Sequence, residues 1–289
     1  MNELTMNGKI CLITGATSGV GAETAKGLAN MGATVVMIAR NAEKLAQVKE
    51  ALIAETHNEH IDVIQADLSV QSEVHKAAQE FLARYEYLHV LINNAGGVFA
   101  KRTLTADGFE YTFALNHLAY FLLTNLLLDT LKKSAPARIV NVSSMAHASA
   151  GKFDFSDLTR EKNYNAFAVY SQSKLANAMF TYELARRLEG TNVTANCLHP
   201  GFVNTGFGKN NNALYNAGLF LLQPIMVSPQ KGAETSIYLA SSPEVAGITG
   251  KYFSKKKAIA SSAASSDRNA QRVLWEMSEV MTQNAVVTK

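Results

Sequence analysis

The sequence predicts an α/β fold in which helices cover both faces of a parallel sheet. Short apolar runs rich in valine and isoleucine, such as residues 35–39, alternate with longer helical stretches along the whole chain. Unbroken apolar runs are typical of parallel strands buried on both faces, and strands that alternate with helices specify a parallel sheet. Small or polar residues follow several of these runs. They should therefore meet at the carboxyl edge, where doubly wound sheets bind ligands.

Length and composition limit the kind of protein. The chain has 289 residues and contains no internal repeat or low-complexity linker, so we expect a single domain over residues 1–289. A net charge of +3 without a long basic run gives no support for binding nucleic acid or an acidic membrane. No signal peptide and no run of about 20 apolar residues occurs. The expected protein is cytoplasmic, without membrane association.

Cysteine and histidine usage indicates neither a disulfide nor a metal site. Cys11 and Cys197 fall in predicted strands that are not neighbours, so their separation should exceed the roughly 7 Å limit for a disulfide. We expect two reduced thiols in the core. The histidines are scattered without metal-ligand spacing, so no metal is expected.

The first predicted strand, residues 10–13, leads into a glycine-rich turn with the spacing T-G-x-x-x-G-x-G. Glycine permits tight turning and lets a bound group approach the backbone. A helix that starts near residue 20 would direct its free N–H groups toward this turn, which favours an anion such as a phosphate. A purely structural turn is the alternative. The predicted cofactor-binding residues here are Gly15, Thr17, Ser18, Gly19, Val20 and Gly21.

Arg40 follows the second predicted strand, where the chain should reach the adenosine ribose. A guanidinium cannot accept a hydrogen bond from a ribose hydroxyl but suits a 2′-phosphate, so we expect NADP(H) rather than NAD(H). A solvated loop cation is the alternative. Asp67 and Leu68 follow the third strand at the same edge, and Asp67 could accept from the adenine amine. A role for Asp67 as the N-cap of the following helix is equally expected, and the two roles are compatible.

The remaining elements follow from the same patterns. We expect helices at residues 43–55, 70–85, 107–133, 168–188, 229–239 and 267–281, and strands at 61–65, 88–92, 138–142, 193–198 and 250–253. The helical run 118–128 is too apolar for a surface helix, so it is either buried or part of a subunit interface. Together with residues 176–188 it favours a homodimer or homotetramer. Residues 200–230 are expected to cover the substrate as a lid, and 145–167 could form part of its rim.

Tyr170 and Lys174 lie four residues apart in a predicted helix, so both side chains project from one face. A tyrosine acts as a base near neutral pH only if its pKa falls by about 3 units, or roughly 4 kcal/mol of phenolate stabilisation. A nearby ammonium in a partly desolvated site supplies part of this, and the positive ring of an oxidised nicotinamide could supply more. A surface tyrosine beside a solvated lysine is the alternative for this pair taken alone.

Several motifs together resemble the short-chain dehydrogenase/reductase family, and the match spans nearly the whole chain. They are Thr14-Gly15 with Gly19 and Gly21, Asn93-Asn94-Ala95-Gly96, Asn116, Ser143-Ser144, Tyr170 with Lys174, and Pro200-Gly201. Within the family, the run Arg-Ile-Val-Asn-Val-Ser-Ser, the long connection between Ser144 and Tyr170, and Gly250-Lys251-Tyr252-Phe253 are similar to the retinol-dehydrogenase-like branch.

This resemblance implies a Rossmann-type sheet of seven strands in the order 3-2-1-4-5-6-7. It also implies hydride transfer between a nicotinamide and a carbonyl or alcohol carbon. Carried over by position, Tyr170 is the general acid/base, Ser144 donates to the substrate oxygen, Lys174 lowers the tyrosine pKa and holds the ribose, and Asn116 keeps a water in the proton relay. The implied cofactor contacts also include Asn94, Ala95, Gly96, Pro200, Gly201, Val203 and Thr205. The alternative to a catalytic role is a structural tether between helices for Asn116. For Ser144 the alternative is a cap at the end of the strand.

The predicted function is therefore an NADP(H)-dependent oxidoreductase that acts on an apolar carbonyl compound or alcohol. Several membrane-bound relatives in the branch carry an N-terminal anchor that this sequence does not show, which makes retinoids a less expected substrate. A non-catalytic NADP(H)-binding sensor or scaffold is the alternative. Such a protein would be expected to lose the tyrosine or the lysine, and both are present.

Overall fold

Eight strands form one sheet in the computed structural model, which describes residues 5–203 and 226–283. The strands are β1 (Ile10–Thr14), β2 (Thr34–Ala39), β3 (Ile61–Gln65), β4 (Val90–Asn93), β5 (Ala137–Val142), β6 (Val193–His199), β7 (Tyr252–Ser254) and β8 (Lys257–Ile259). Their order is β3-β2-β1-β4-β5-β6-β7-β8. Strands β1 to β7 pair in parallel. The predicted fold class and the order of the first seven strands are confirmed.

The predicted number of seven strands is wrong, because β8 returns antiparallel to β7. Lys255 and Lys256 form the two-residue turn between them, and both have positive φ angles, of 50° and 63°. Two-residue hairpins favour such turns, but asparagine and glycine are the residues that usually signal them. A run of lysines carries no such signal. The exposed, lysine-bearing β8 forms the outer edge of the sheet.

Helices cover both faces of the sheet. They are α1 (Gly19–Asn30), α2 (Ala42–Thr56), α3 (Gln71–Arg84), α4 (Tyr111–Phe113), α5 (Ala119–Leu126), α6 (Leu128–Lys133), α7 (Ala166–Arg187), α8 (Pro229–Ser241) and α9 (Arg268–Gln283). Leu12 on β1 belongs to the apolar core under α3, α5 and α7, whereas its neighbours Cys11 and Ile13 belong to the core under α1, α2 and α8. Successive strand residues point to opposite faces. Burial on both faces explains the unbroken apolar runs.

The single helix predicted for residues 107–133 is divided in three. It begins at Tyr111 because the Glu110 carboxylate caps it by accepting from Thr112 and Phe113 N–H groups. A π-turn at Ala114–Leu118 then joins α4 to α5, and Leu127 separates α5 from α6. Single π-turns within helices occur frequently at functional sites. This one contains Asn116.

The apolar face of α5 is covered within the chain by α7 and α9. The Trp275 ring of α9 lies 4.9 Å from that of Phe121 and 5.7 Å from that of Phe180. This packing gives an intramolecular reason for the apolar run that suggested a subunit interface. The homodimer or homotetramer remains a prediction.

The two cysteines are free and fully buried, as expected. Burial raises the pKa of each thiol to about 12, so both stay protonated near neutral pH. Among residues 5–203 and 226–283, no helix has the length and apolarity needed to span a bilayer.

Candidate active site

The glycine turn after β1 is fastened to the end of β4. The Thr14 hydroxyl accepts from Asn94 N–H at 2.9 Å and from Ala95 N–H at 3.0 Å. The Asn94 side-chain amide donates in turn to the Thr14 and Gly15 carbonyl oxygens, at 2.9 and 3.1 Å. A Cβ on Gly15 would lie 2.7 Å from Ala95 Cα, and the residue has a φ of 67°. Only glycine fits at this position. The side chain of Asn94 supports the turn.

The N-terminus of α1 is open toward this turn. Ser18 occupies the N-cap position but makes no side-chain capping hydrogen bond, and the first turn holds no acidic residue. The first N–H groups of a helix have no partner within it. A helix end with free N–H groups beside a glycine turn has the properties of a phosphate site. Thr17, Gly19, Val20 and Gly21 lie in the same segment, so the structure brings the predicted phosphate-binding residues together.

Arg40 and Asp67 meet at the same edge, beyond the ends of β2 and β3. Arg40 Nη1 lies 3.6 Å from Asp67 Oδ2 and donates to the Tyr111 hydroxyl at 3.0 Å. Asp67 Oδ1 accepts from Ser69 N–H and from its hydroxyl, so Asp67 caps a local turn. It does not cap α3, because the first N–H of that helix donates to the Asp107 carboxylate instead. Leu68 is buried.

Asn116 fastens the loop after β4 to α7. Its Oδ1 accepts from Gly97 N–H at 2.9 Å, and its Nδ2 donates to the Gly97 carbonyl at 3.0 Å and to the Ser173 hydroxyl at 2.9 Å. The side chain is therefore a structural tether, the alternative left open by the sequence. A Cβ on Gly96 would lie 2.9 Å from Asn116 Oδ1 and 3.5 Å from Lys174 Nζ. The missing Cβ keeps that space free for the lysine.

Lys174 is buried beside the rings of two tyrosines. Its Nζ lies 5.7 Å from the ring centroids of both Tyr170 and Tyr120 and donates to the Val142 carbonyl at 2.9 Å. No carboxylate pairs with it in the described part of the chain, and burial lowers its pKa from 10.5 to about 7. An ammonium has three donors, and within residues 5–203 and 226–283 only one of them is used. Two remain for acceptors such as ribose hydroxyls.

The two serines after β5 have different surroundings. Ser143 is buried, and its hydroxyl donates inward to the Lys174 carbonyl at 2.8 Å. Ser144 is partly exposed, and its Oγ accepts from Ala146 N–H at 3.2 Å as the cap of a short 3₁₀ turn, Met145–Ala150. A hydroxyl that accepts a backbone N–H still has its own proton to donate. The capping role and the predicted catalytic role are therefore compatible.

The segment after β6 begins the predicted lid. Pro200 and Gly201 end the strand, and Gly201 has a φ of 94°, which favours glycine. Val203 forms an isolated bridge with Val227, and the Phe202 carbonyl accepts from Val227 N–H at 2.7 Å. The two ends of the segment are thereby joined. Thr205 and most of the predicted lid lie outside the described residues.

Two residues of this site were not identified from the sequence. Tyr120 packs its ring near Lys174, and its buried hydroxyl has no hydrogen-bond partner within residues 5–203 and 226–283. The Ser173 hydroxyl accepts a hydrogen bond from the side-chain amide of Asn116. Helical spacing could have indicated both residues, because Tyr120 lies four residues after Asn116 and Ser173 lies three residues after Tyr170.

A parallel sheet with a glycine turn after its first strand and a Tyr–Lys pair at the same edge defines a nicotinamide-dependent oxidoreductase of the Rossmann type. A family model described as short chain dehydrogenase matches residues 9–216. The chain therefore belongs to the short chain dehydrogenase family. The match covers the glycine turn, the Tyr–Lys pair and all strands up to β6.

The curated relatives include retinol dehydrogenases. Retinol dehydrogenase 14 of Mus musculus is 46% identical over 96% of this chain and 86% of its own length. Retinol dehydrogenase 13 of Homo sapiens is 41% identical over 95% of this chain and 84% of its own. These likenesses place the chain near the retinol-dehydrogenase branch of the family.

Solved structures agree with the fold. An uncharacterised protein from Mycobacterium paratuberculosis is 33% identical, with a TM-score of 0.78 over 96% of this chain and 94% of its own. The NADP complex of RhlG from Pseudomonas aeruginosa is 28% identical, with a TM-score of 0.70 over 88% of this chain and 97% of its own.

Proposed function

We propose that the protein is an NADP(H)-dependent oxidoreductase that interconverts an apolar carbonyl compound and the corresponding alcohol. The observation that carries this proposal is the buried Lys174 ammonium, which lies beside Tyr170. Within the described chain this ammonium has two unused donors and no carboxylate partner. Burying an unpaired charge is unfavourable, and such groups cluster at functional sites. A phenol that ionises and a sugar with two hydroxyls are suitable partners for this ammonium.

Each polar residue has a role in this reaction. A bound nicotinamide would supply or accept the hydride at the substrate carbon. Tyr170 gives its phenolic proton to the substrate oxygen during reduction and takes a proton back during oxidation. The Ser144 hydroxyl donates a hydrogen bond to the same oxygen, and Lys174 stabilises the phenolate and holds the ribose. Asn116 keeps the loop containing Gly96 in position.

Arg40 supports NADP(H) as the cofactor. Its guanidinium lies at the carboxyl edge, 65% exposed, with its Nη1 near both the Tyr111 hydroxyl and the Asp67 carboxylate. A planar cation held in this way suits a phosphate ester. RhlG of Pseudomonas aeruginosa was solved with NADP, and a short chain dehydrogenase of Escherichia coli with NADPH. These relatives support the same choice here.

Exposed apolar side chains support an apolar substrate. Met145, Phe167 and Phe202 are 43%, 58% and 60% exposed. Each lies within three residues of a proposed functional position, namely Ser144, Tyr170 and Gly201. Large exposed apolar groups near a site favour an apolar ligand. The relatives at 46% and 41% identity are named for retinol, an alcohol with a largely apolar body.

Tyr170→Phe tests the proposal on a panel of apolar aldehydes and ketones with NADPH. We expect kcat to fall by about 10²- to 10⁴-fold, because the phenylalanine ring has no proton to transfer. The dissociation constant for NADPH, measured by its fluorescence, should remain within about threefold of the wild-type value. Tyr87→Phe on the surface serves as the control. Unchanged turnover in Tyr170→Phe would refute the assigned acid, and a wild type that binds NADPH but reduces nothing would favour the sensor or scaffold.

A further inference from the structure

Two buried histidines hold the peptide group between Ser144 and Met145. Nδ1 of His147 donates to the Ser144 carbonyl oxygen at 2.7 Å, and Met145 N–H donates to Nδ1 of His199 at 3.2 Å. His147 is 2% exposed and His199 is 7% exposed. The two polar ends of one peptide group are thus bonded to two different rings. Rotation of this peptide would break both hydrogen bonds in a buried site, where each loss is unfavourable.

Backbone partners also fix the tautomer of each ring. Ser262 N–H donates to Nε2 of His147 at 3.0 Å, so this nitrogen is bare and the ring proton is on Nδ1. Met145 N–H requires a bare Nδ1 on His199, so the proton of that neutral ring is on Nε2. Protonation of either ring would set an N–H against an N–H. Both imidazoles therefore have to be neutral.

The two rings connect the Ser144 peptide to neighbouring parts of the site. His199 directly precedes Pro200, and its ring lies 5.9 Å from that of Phe202. The ring of Tyr252 on β7 packs 4.7 Å from His147. Burial lowers the pKa of both histidines, that of His199 to about 4, which agrees with two neutral rings. Within the described chain, neither imidazole forms an ion pair with a carboxylate.

We propose that His147 and His199 are positioning residues for Ser144. The inference rests on the proposed function, in which the Ser144 hydroxyl donates to the substrate oxygen. The Ser144 Oγ accepts from Ala146 N–H within the same short turn. Fixing the peptide that follows Ser144 therefore fixes the direction of its hydroxyl. His147 contributes one donor to this peptide, and His199 contributes one acceptor.

Amide and apolar replacements of His199 separate positioning from packing. Asparagine places its side-chain oxygen near the position of Nδ1 and retains the acceptor, whereas leucine fills the space without it. We expect kcat of His199→Leu to fall by about 10- to 100-fold, because a small misplacement of a catalytic group has effects of this size. The KM for NADPH should change by less than about threefold, and His199→Asn should recover most of kcat. Equal losses in both variants would overturn the assignment.

The tautomers can be measured without any turnover. In nitrogen-15 spectra of the full chain at pH 7, the signal lost in His147→Asn should be that of a ring protonated on Nδ1, and the signal lost in His199→Asn that of a ring protonated on Nε2. Rings that exchange between tautomers would overturn the proposal, even if His199→Leu fails to fold. A wild type that reduces no carbonyl compound would refute the proposed function alone. Full kcat in His199→Leu, with Tyr170→Phe inactive, would refute the positioning role alone.

Discussion

Lys174 places an amine inside the protein, and no carboxylate within residues 5–203 and 226–283 balances its charge. Its side chain is 3% exposed, and burial lowers its pKa from 10.5 to about 7. Desolvation acts against the charged form of any amine. In the proposed reaction, a phenolate on Tyr170 would stabilise the ammonium, and this would couple the protonation of the two groups. This coupling is what would let Tyr170 act as an acid and a base in the proposed reaction.

Arg40→Asp tests the cofactor assignment at the level of a single side chain. Reversing this charge would remove the proposed partner of the 2′-phosphate and supply an acceptor for a ribose hydroxyl. We expect NADPH to bind about 100-fold more weakly, with NADH binding equally or more tightly. Fluorescence titration of each cofactor measures the ratio directly. Arg272→Asp, on the exposed part of α9, should leave the ratio unchanged, and a wild type that prefers NADH would contradict the assignment.

At the scale of elements, α9 covers the two helices that carry the site. Trp275 is 4% exposed and packs on Phe121 of α5 and Phe180 of α7, with the Arg187 guanidinium 4.2 Å from its ring centroid. Lys174 and Tyr170 are on α7, and the π-turn containing Asn116 leads directly into α5. The packing of α9 therefore supports the elements that position the proposed catalytic groups.

Trp275→Ala should lower the free energy of unfolding by about 3–5 kcal/mol, because it removes a large buried ring and leaves a cavity between three helices. Urea unfolding followed by circular dichroism measures this change. Val280→Ala is the matched control on the same helix, since Val280 is 60% exposed and should change the free energy by about 0.5 kcal/mol or less. Similar losses in the two variants would contradict the proposed packing of α9.

For the whole molecule, apolar runs and small residues at strand ends were sufficient to predict the fold class and the edge of the sheet that carries the candidate site, whereas the strand order followed from the family resemblance. Local patterns could not predict the hairpin at Lys255 and Lys256, which adopts a left-handed turn without glycine or asparagine. They also could not predict that Glu110 would start the helix before Asn116. Lysine is not a usual residue of such turns, and glutamate is not among the residues that usually mark a helix N-cap.

Contacts between distant parts of the chain were the least predictable features of the site. Thr14 and Asn94 lock the glycine turn to β4, and Asn116 joins Gly97 to Ser173. The histidines that hold the Ser144 peptide are likewise far apart in sequence. No spacing rule connects such pairs. The Tyr170–Lys174 pair was predictable because helical geometry places positions four apart on one face.

The central claim is that the Lys174 ammonium sets the pH at which Tyr170 accepts a proton. The most direct measurement is the pH dependence of kcat for alcohol oxidation at saturating NADP⁺, in the wild type and in Lys174→Met. We expect the rising limb to lie about 3 units below the ordinary tyrosine pKa of about 10 in the wild type, and to move up by about 2 units in the variant. Lys76→Met, at an exposed position on α3, should leave it in place. A limb at the same pH in wild type and Lys174→Met would contradict the claim.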